Sequence, residues 1–502
     1  MKADIVLKNA NVITMNPAQP RAQAIAIKDE KIVKVGSNVE IEPWIGKKTK
    51  MMDLNGKTVL PGLIDTHIHV ADFGRVLTWL DLKGTESIEI LKSMVKKRAQ
   101  NLLKGKWVIG RGWNQVCFAE KRLPTRADLD EVSPDNPVVL YHQCEQMCVV
   151  NSVALALAGV TNPKGILSGD ATNLVWQKVP EPSEDELLEA TSQACEAILR
   201  AGVTSVHWIM LSPIEIPIIK KLHEQNRLPI RVYLIVPENL LDNAIEAGLN
   251  RVSDGMLKVG ATLVFSDGYL AARTAALAQP YNDAPVEKGK LLCTPDDMTA
   301  IAEKTRKANM QLVIHAVGDK AVKAALETLE KTSTSRPRLE QAAVLNPELI
   351  EGMKKQQVLV SVQPMVVASE FSVWSAVNRL GSERALWLFP IKTLLESGIR
   401  VLGGSDCPME LLNPMLSIQA AVVREAFSEQ RVSVEEALLM YTIDAAYGSF
   451  EENKKGSIQA GKLADIIIVS DDPMSVLPEK IGNISPEIIV LGGQVTYLEK
   501  PK

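Results

Sequence analysis

VLPGLIDTHIH, residues 59–69, is the stretch on which the reading of the fold turns. Pro61-Gly62 marks a turn into an apolar run, and the run ends in polar residues. His67 and His69 are two apart on a strand, so both side chains face the same way. Two neutral imidazoles on one face can grip a divalent cation, although they can equally be ordinary strand histidines.

Six further stretches repeat this design: GVTSVHWIM (202–210), IRVYLIV (230–236), ATLVFSDG (261–268), QLVIHAVGD (311–319), QVLVSVQP (357–364) and IRVLGGSD (399–406). Helical patterns separate them. One is 182–202, where Ser183 is a candidate N-cap with Glu186 three residues on, a capping-box arrangement. Strands alternating with helices signal βαβ units, and seven or eight in series predict a closed α/β (β/α)8 TIM barrel. Residues 71–180 do not fit one crossover and read as an insertion.

The two ends of the chain are patterned differently. ADIVLKNANVITM (3–15), QAIAIKDEKIVKVG (23–36), KLADIIIVS (462–470) and EIIVLGGQVTYL (487–498) read as short strands with polar turns. Segments 1–60 and 447–502 are therefore expected to pair into one composite β-sandwich, leaving 61–446 for the barrel.

At 502 residues the chain exceeds one compact core, and its composition is that of a globular protein. A net charge of −4 without a basic stripe argues against nucleic acid. No apolar run approaches the roughly 18–20 residues a membrane span needs, and the N-terminus lacks a signal-peptide core. Six cysteines scattered at 117, 144, 148, 195, 293 and 407 form no disulfide framework, so a reducing cytoplasm is expected. Cys144 and Cys148 have no second pair and read as small buried residues.

Polar residues sit at the C-terminal ends of the apolar strands: His67, His69, His207, Asp267, His315 and Asp406. In a barrel that end is where active sites form. His315 is either a third nitrogen ligand or a satisfied core histidine. Asp406 follows two glycines, which allow close backbone approach, and a buried carboxylate must be paired or bound to a metal. Such a carboxylate can take a proton from an attacking water and pass it to a leaving nitrogen. His142 reads as structural, and His223 as solvent-facing on a charged helix.

GRGWNQ (110–115), RLPTRADLDEVSPDNPVVLY (122–141), NSVALALAGV (151–160), FSDGYLAARTAAL (265–277), VIHAVGD (313–319), SVQP (361–364), GGSDCP (403–408) and GSIQAGKLADIIIVSDDP (456–473) extend the argument beyond VLPGLIDTHIH. In this order, over nearly the whole chain, they resemble the amidohydrolase superfamily, in the branch of N-substituted formamide deformylases and related metal-dependent hydrolases. The resemblance implies a composite sheet domain, a metal-bearing barrel and hydrolysis of carbon–nitrogen bonds other than peptide bonds.

The chain departs from that branch at four places. Gln146 stands where relatives have a His. Gly169 replaces a Glu, with Asp170 one place on. Leu263 replaces a Lys that could bridge two metals, and Gln341 replaces a His after RLE. The remaining set of His67, His69, His315 and Asp406 is similar to the one-metal sites of superfamily deaminases. It implies one divalent ion, most simply zinc, with iron or manganese compatible and a second metal not expected.

On this resemblance a hydroxide on the metal attacks a non-peptide amide or formamide-like carbonyl, and Asp406 shuttles the proton. Trp113, Asp170, His207, Asp267 and Gln341 are candidate substrate contacts. The implied partner is a small molecule, and self-association into a homo-oligomer is compatible. The competing classes are a one-metal deaminase or cyclic-amide hydrolase, and a catalytically impaired relative that keeps the fold.

Overall fold

The computed structural model describes residues 2–143, 147–372 and 375–498. Cys144 and Gln146 lie outside the described residues. Eight strands form one parallel sheet: β1 (Leu63–Ile68), β2 (Val203–Ile209), β3 (Arg231–Pro237), β4 (Leu257–Phe265), β5 (Gln311–Ala316), β6 (Arg338–Gln341), β7 (Leu359–Val362) and β8 (Val401–Gly403). Each pairs with its neighbours in chain order. Where β8 ends, Cys407 bridges in parallel to Ile68 of β1, and this brings the sheet round to a barrel.

Seven of these strands are the apolar runs already read, and burial on both faces explains that pattern. The eighth is β6, whose sequence RLEQ carries two charges. Helices cross between successive strands, among them Glu215–Glu224, Pro295–Lys307, Asp319–Lys331 and Pro347–Lys355. Their ends are set locally. Thr294 caps Pro295–Lys307 with a capping box to Asp297, and Asn346 caps Pro347–Lys355 by accepting from Leu349 N.

Two further sheets lie in the same compact unit. One has four strands: Lys31–Gly36, Ala24–Lys28, Ile5–Lys8 and Lys50–Asp53. The other has six and mixes both ends of the chain, since Thr58–Pro61 pairs antiparallel with Ile466–Val469. Ile5, Leu7 and Ile25 from the first sheet share a core with Val59, Ile466 and Val490 from the second. The C-terminal segment also reaches the barrel, because Lys455 Nζ donates to Ser205 Oγ of β2 at 3.0 Å.

Residues Phe73–Thr191 form a second compact unit. Its five-stranded sheet runs Ile166–Ser168, Met147–Val150, Val138–His142, Val108–Trp113, Leu80–Asp81. Trp113, Phe118, Leu129 and Leu140 fill its core. Ser183 and Glu186 form the capping box read from the sequence, with Glu186 N donating to Ser183 Oγ at 3.2 Å and Ser183 N to Glu186 Oε2 at 2.9 Å. Among the described residues no helix is long and apolar enough to cross a membrane.

Candidate metal centre

The joint between β1 and β8 builds the site. Asp406 N donates to His67 O at 2.8 Å, and His69 N donates to Cys407 O at 2.9 Å. Asp65, buried on β1, accepts from both His67 N at 3.1 Å and Ser405 N at 3.0 Å. Burial raises the Asp65 carboxyl to about 6, against the lowering effect of these donors. Asp406 itself adopts φ of 59°, left-handed for a non-glycine residue, and this turns its carboxylate back over the strand end.

The result is a cluster of His67, His69 and Asp406 whose ligand atoms all lie within 4.8 Å of one another. Asp406 Oδ1 stands 3.4 Å from His67 Nε2 and 3.4 Å from His69 Nε2. Two ligand atoms bound at 2.0–2.1 Å to one tetrahedral zinc ion are about 3.3–3.4 Å apart. The spacing therefore fits one shared cation.

Both imidazoles are held through their other nitrogen. His67 Nδ1 is 2.6 Å from Glu340 Oε2, and His69 Nδ1 is 3.2 Å from Ile209 O. A carboxylate and a carbonyl only accept, so each ring carries its proton on Nδ1 and leaves Nε2 for a cation.

The charges agree with this arrangement. Burial opposes ionisation of Asp406, but the two imidazoles outweigh it and hold the carboxyl well below the usual range. Burial also opposes a proton on His67, yet Glu340 and Asp406 raise it to about 10. Without a cation, a proton holds this cluster together.

His315 is outside the three-residue group but buried near it. Among the described residues neither of its ring nitrogens makes a well-aligned hydrogen bond. Burial, with the charge of His67, lowers it to about 4, so it is a neutral nitrogen donor at neutral pH. Phe265 and Tyr269 flank its ring, with centroids at 5.2 and 5.4 Å. An orphaned buried imidazole is costly unless something binds it.

Asp267 is spent on backbone: Oδ1 accepts from Val317 N, and Oδ2 from Ala276 N and Gly318 N. It organises the loops beyond β4 and β5. His207 lies in the barrel interior against Tyr233, whose hydroxyl reaches Gln311 at the start of β5. Its Nδ1 faces Arg338 at 2.8 Å.

Gln341 is buried with φ of 69° at the end of β6. Trp113 is fully buried in the second unit, and its Nε1–H is spent on Leu140 O at 2.9 Å. Asp170 is exposed in the first turn of the short helix Asp170–Trp176 in that unit. His142 is packed against Trp113, its ring centroid at 4.8 Å, while His223 is bound to Asp254 at 2.6 Å.

Three residues at the site went unread: Asp65, Arg338 and Glu340. The available signal was RLEQ itself, where a strand's alternation turns Arg338 and Glu340 to one face.

The model of the amidohydrolase family matches residues 50–497. The chain belongs to the amidohydrolase family. It is accordingly a metal-dependent hydrolase acting on carbon–nitrogen bonds. This amidohydrolase is 31% identical to a candidate amidohydrolase of Bacillus subtilis, YtcJ, over 97% of this chain and 98% of that one. It is 25% identical to the N-substituted formamide deformylase of Arthrobacter pascens, over 94% of each chain. A crystal structure of an uncharacterized metal-dependent hydrolase from Pyrococcus furiosus superposes with a TM-score of 0.80 at 30% identity, covering 94% of this chain and 100% of that one. For this amidohydrolase, family and structural likeness thus agree with dependence on a metal ion.

Proposed function

We propose that this amidohydrolase holds a single divalent ion, zinc by the nature of its donors, on His67, His69, His315 and Asp406, and hydrolyses a non-peptide amide or formamide-like bond in a small substrate. The observation that carries the reading is Asp406 Oδ1 lying 3.4 Å from both His67 Nε2 and His69 Nε2. Likeness to a formamide deformylase over nearly the full chain supports the substrate class. Leu263 supports one ion, because it is buried in an apolar cluster with Ile209, Tyr233 and Val313 and offers no ligand atom.

When bound, the ion would polarise the scissile carbonyl and lower the pKa of water to about 7. Asp406 accepts the proton of the attacking water and delivers it to the leaving nitrogen, a role that requires it ionised, as its lowered pKa provides. His67 and His69, each fixed through Nδ1, keep their Nε2 atoms directed at the group without reorganisation. The scattered cysteines support a cytoplasmic setting.

The test is metal content together with turnover of N-formyl, N-acyl and cyclic amides. About one ion per chain, lost in His67→Ala along with activity, is expected. A wild-type protein that takes up no zinc, manganese or iron and leaves the whole panel intact overturns the reading.

A further inference from the structure

Below the candidate metal centre the barrel interior carries a chain of polar contacts that lies behind the Glu340–His67 bond. Arg338 on β6 is completely buried. Its Nη2 is 2.6 Å from Glu340 Oε1 and donates to Thr66 O on β1 at 2.5 Å, while its Nη1 is 2.8 Å from His207 Nδ1 on β2. Glu340, also completely buried, reaches His67 Nδ1 at 2.6 Å with its other oxygen. Thr66 Oγ1 then donates to Gly403 O on β8 at 3.0 Å and lies 3.1 Å from Ser361 Oγ on β7. Five of the eight strands are tied in one layer.

The direction of the protons shared among Arg338, His207, Glu340 and His67 follows from Arg338. A guanidinium has only donors and does not deprotonate in proteins. His207 Nδ1 must therefore accept. A carboxylate in contact with a buried guanidinium is an anion and an acceptor, because an unpaired buried charge is costly on either side. Glu340 then has one role left toward His67, which is to accept its Nδ1–H. That sets the free lone pair of His67 on Nε2, the atom facing Asp406.

We propose that Arg338 and Glu340 are positioning residues: through one donor–acceptor chain, they fix the tautomer and direction of His67 and so preset the cation site. The proposal rests on the metal reading above. It assigns a purpose to an ion pair that an apolar core would not otherwise need, since buried pairs are weak evidence for stability in themselves. Outer partners of ligating histidines affect metal affinity by roughly 10- to 100-fold.

Two measurements test it. In the zinc-loaded wild type labelled with 15N-histidine, long-range proton–nitrogen correlation spectra should show His67 protonated at Nδ1 and ligated at Nε2, the signal being assigned by its loss in His67→Ala. A His67 protonated at Nε2 overturns the proposal. In the second, Glu340→Gln is combined with Arg338→Met, removing both charges so that neither is left unpaired. Chelator competition should then give a zinc dissociation constant roughly 10- to 100-fold weaker.

A folded double variant that binds zinc within twofold of wild type also overturns the proposal, and leaves the metal reading standing. A wild type that binds no zinc sinks both. If the double variant does not fold, the spectrum of the wild type decides.

Discussion

Gly404→Ala isolates the geometry of the β1–β8 joint from its chemistry, because it adds one methyl group and removes no ligand. A Cβ built on Gly404 would sit 2.7 Å from both His67 N and His67 Cβ, and 3.1 Å from His67 Cα. Ordinary contact begins at 3.4 Å, so strand and loop must part by about 0.7 Å, and the obstacle includes backbone that cannot rotate away. The displacement falls between His67 and Asp406, the pair whose spacing defines the site. Misplacement by about 1 Å costs roughly 100-fold in rate, so kcat/KM should fall roughly 10- to 100-fold. Metal affinity should drop with it, and overpacking should cost about 1–3 kcal/mol of stability.

The control is Gly352→Ala, in the helix Pro347–Lys355. There the nearest atom is Leu326 Cδ1 at 3.0 Å, the end of a flexible side chain. That variant should keep full activity and gain up to about 1 kcal/mol from helix propensity. The assay is zinc content by mass spectrometry with steady-state turnover of the best amide found. Gly404→Ala matching Gly352→Ala in both would refute the argument that this joint presets the ligands.

Three other outcomes follow from particular contacts. His67 is held protonated up to about 10 in the metal-free cluster, so zinc binding at pH 8 must expel that proton. Calorimetry in buffers of different ionisation enthalpy should show about one proton released, and affinity should rise with pH; binding independent of buffer contradicts this. Asp267→Asn leaves an amide NH2 among the N–H groups of Val317, Ala276 and Gly318, and should lower stability by about 1–3 kcal/mol per donor left unpaired, read in denaturant midpoints. Burial raises the Glu370 carboxyl to about 7, with Arg379 opposing. Its ionisation therefore weakens the fold as pH climbs from the unfolded value near 4.5 to about 7, and the whole penalty, up to about 3 kcal/mol, is present above that. Glu370→Gln should accordingly raise the unfolding midpoint at pH 8 and leave it nearly unchanged at pH 4.5; equal effects at both would remove Glu370 as the cause.

How far the sequence reveals this protein depends on what each strand buries. β2, β3 and β5 are covered on both faces and read as mainly apolar runs, so the barrel is visible from them. The proposed ligands His67, His69 and Asp406 are visible for a related reason: each is a polar residue at the tip of such a run. Contacts set by distant backbone are not visible. Asp267 has the same strand-tip placement as Asp406, yet its oxygens meet three N–H groups from the loops beyond β4 and β5. Local sequence does not separate a carboxylate that faces a cation from one that ties down loops. In Trp113 a polar-flanked motif encloses a side chain buried in the core of the second unit, which local sequence does not reveal.

β6 shows where the apolar signal fails and why that failure carries information. Its RLEQ has one aliphatic residue in four, so no hydrophobic period announces a strand. Register nevertheless places Glu340 beside His315 of β5 and Ser361 of β7. Anchored on Gln341, the strand looks as though it has lost a histidine and left a gap. The backbone contradicts that picture: φ of 69° takes Gln341 out of the alternation, while Arg338 and Glu340 turn inward and Glu340 bonds the first histidine directly. Buried charge in the middle of a barrel destabilises unless each group is satisfied. Here the guanidinium meets a carboxylate, an imidazole and a carbonyl. A strand that breaks the local pattern with buried charge, and among the described residues leaves Arg338 Nε and Glu340 Oε1 without a well-aligned hydrogen bond, is the expected mark of a functional position. The polar contact to His67 comes from the residue before Gln341, so that histidine is held through Glu340 whatever stands at 341.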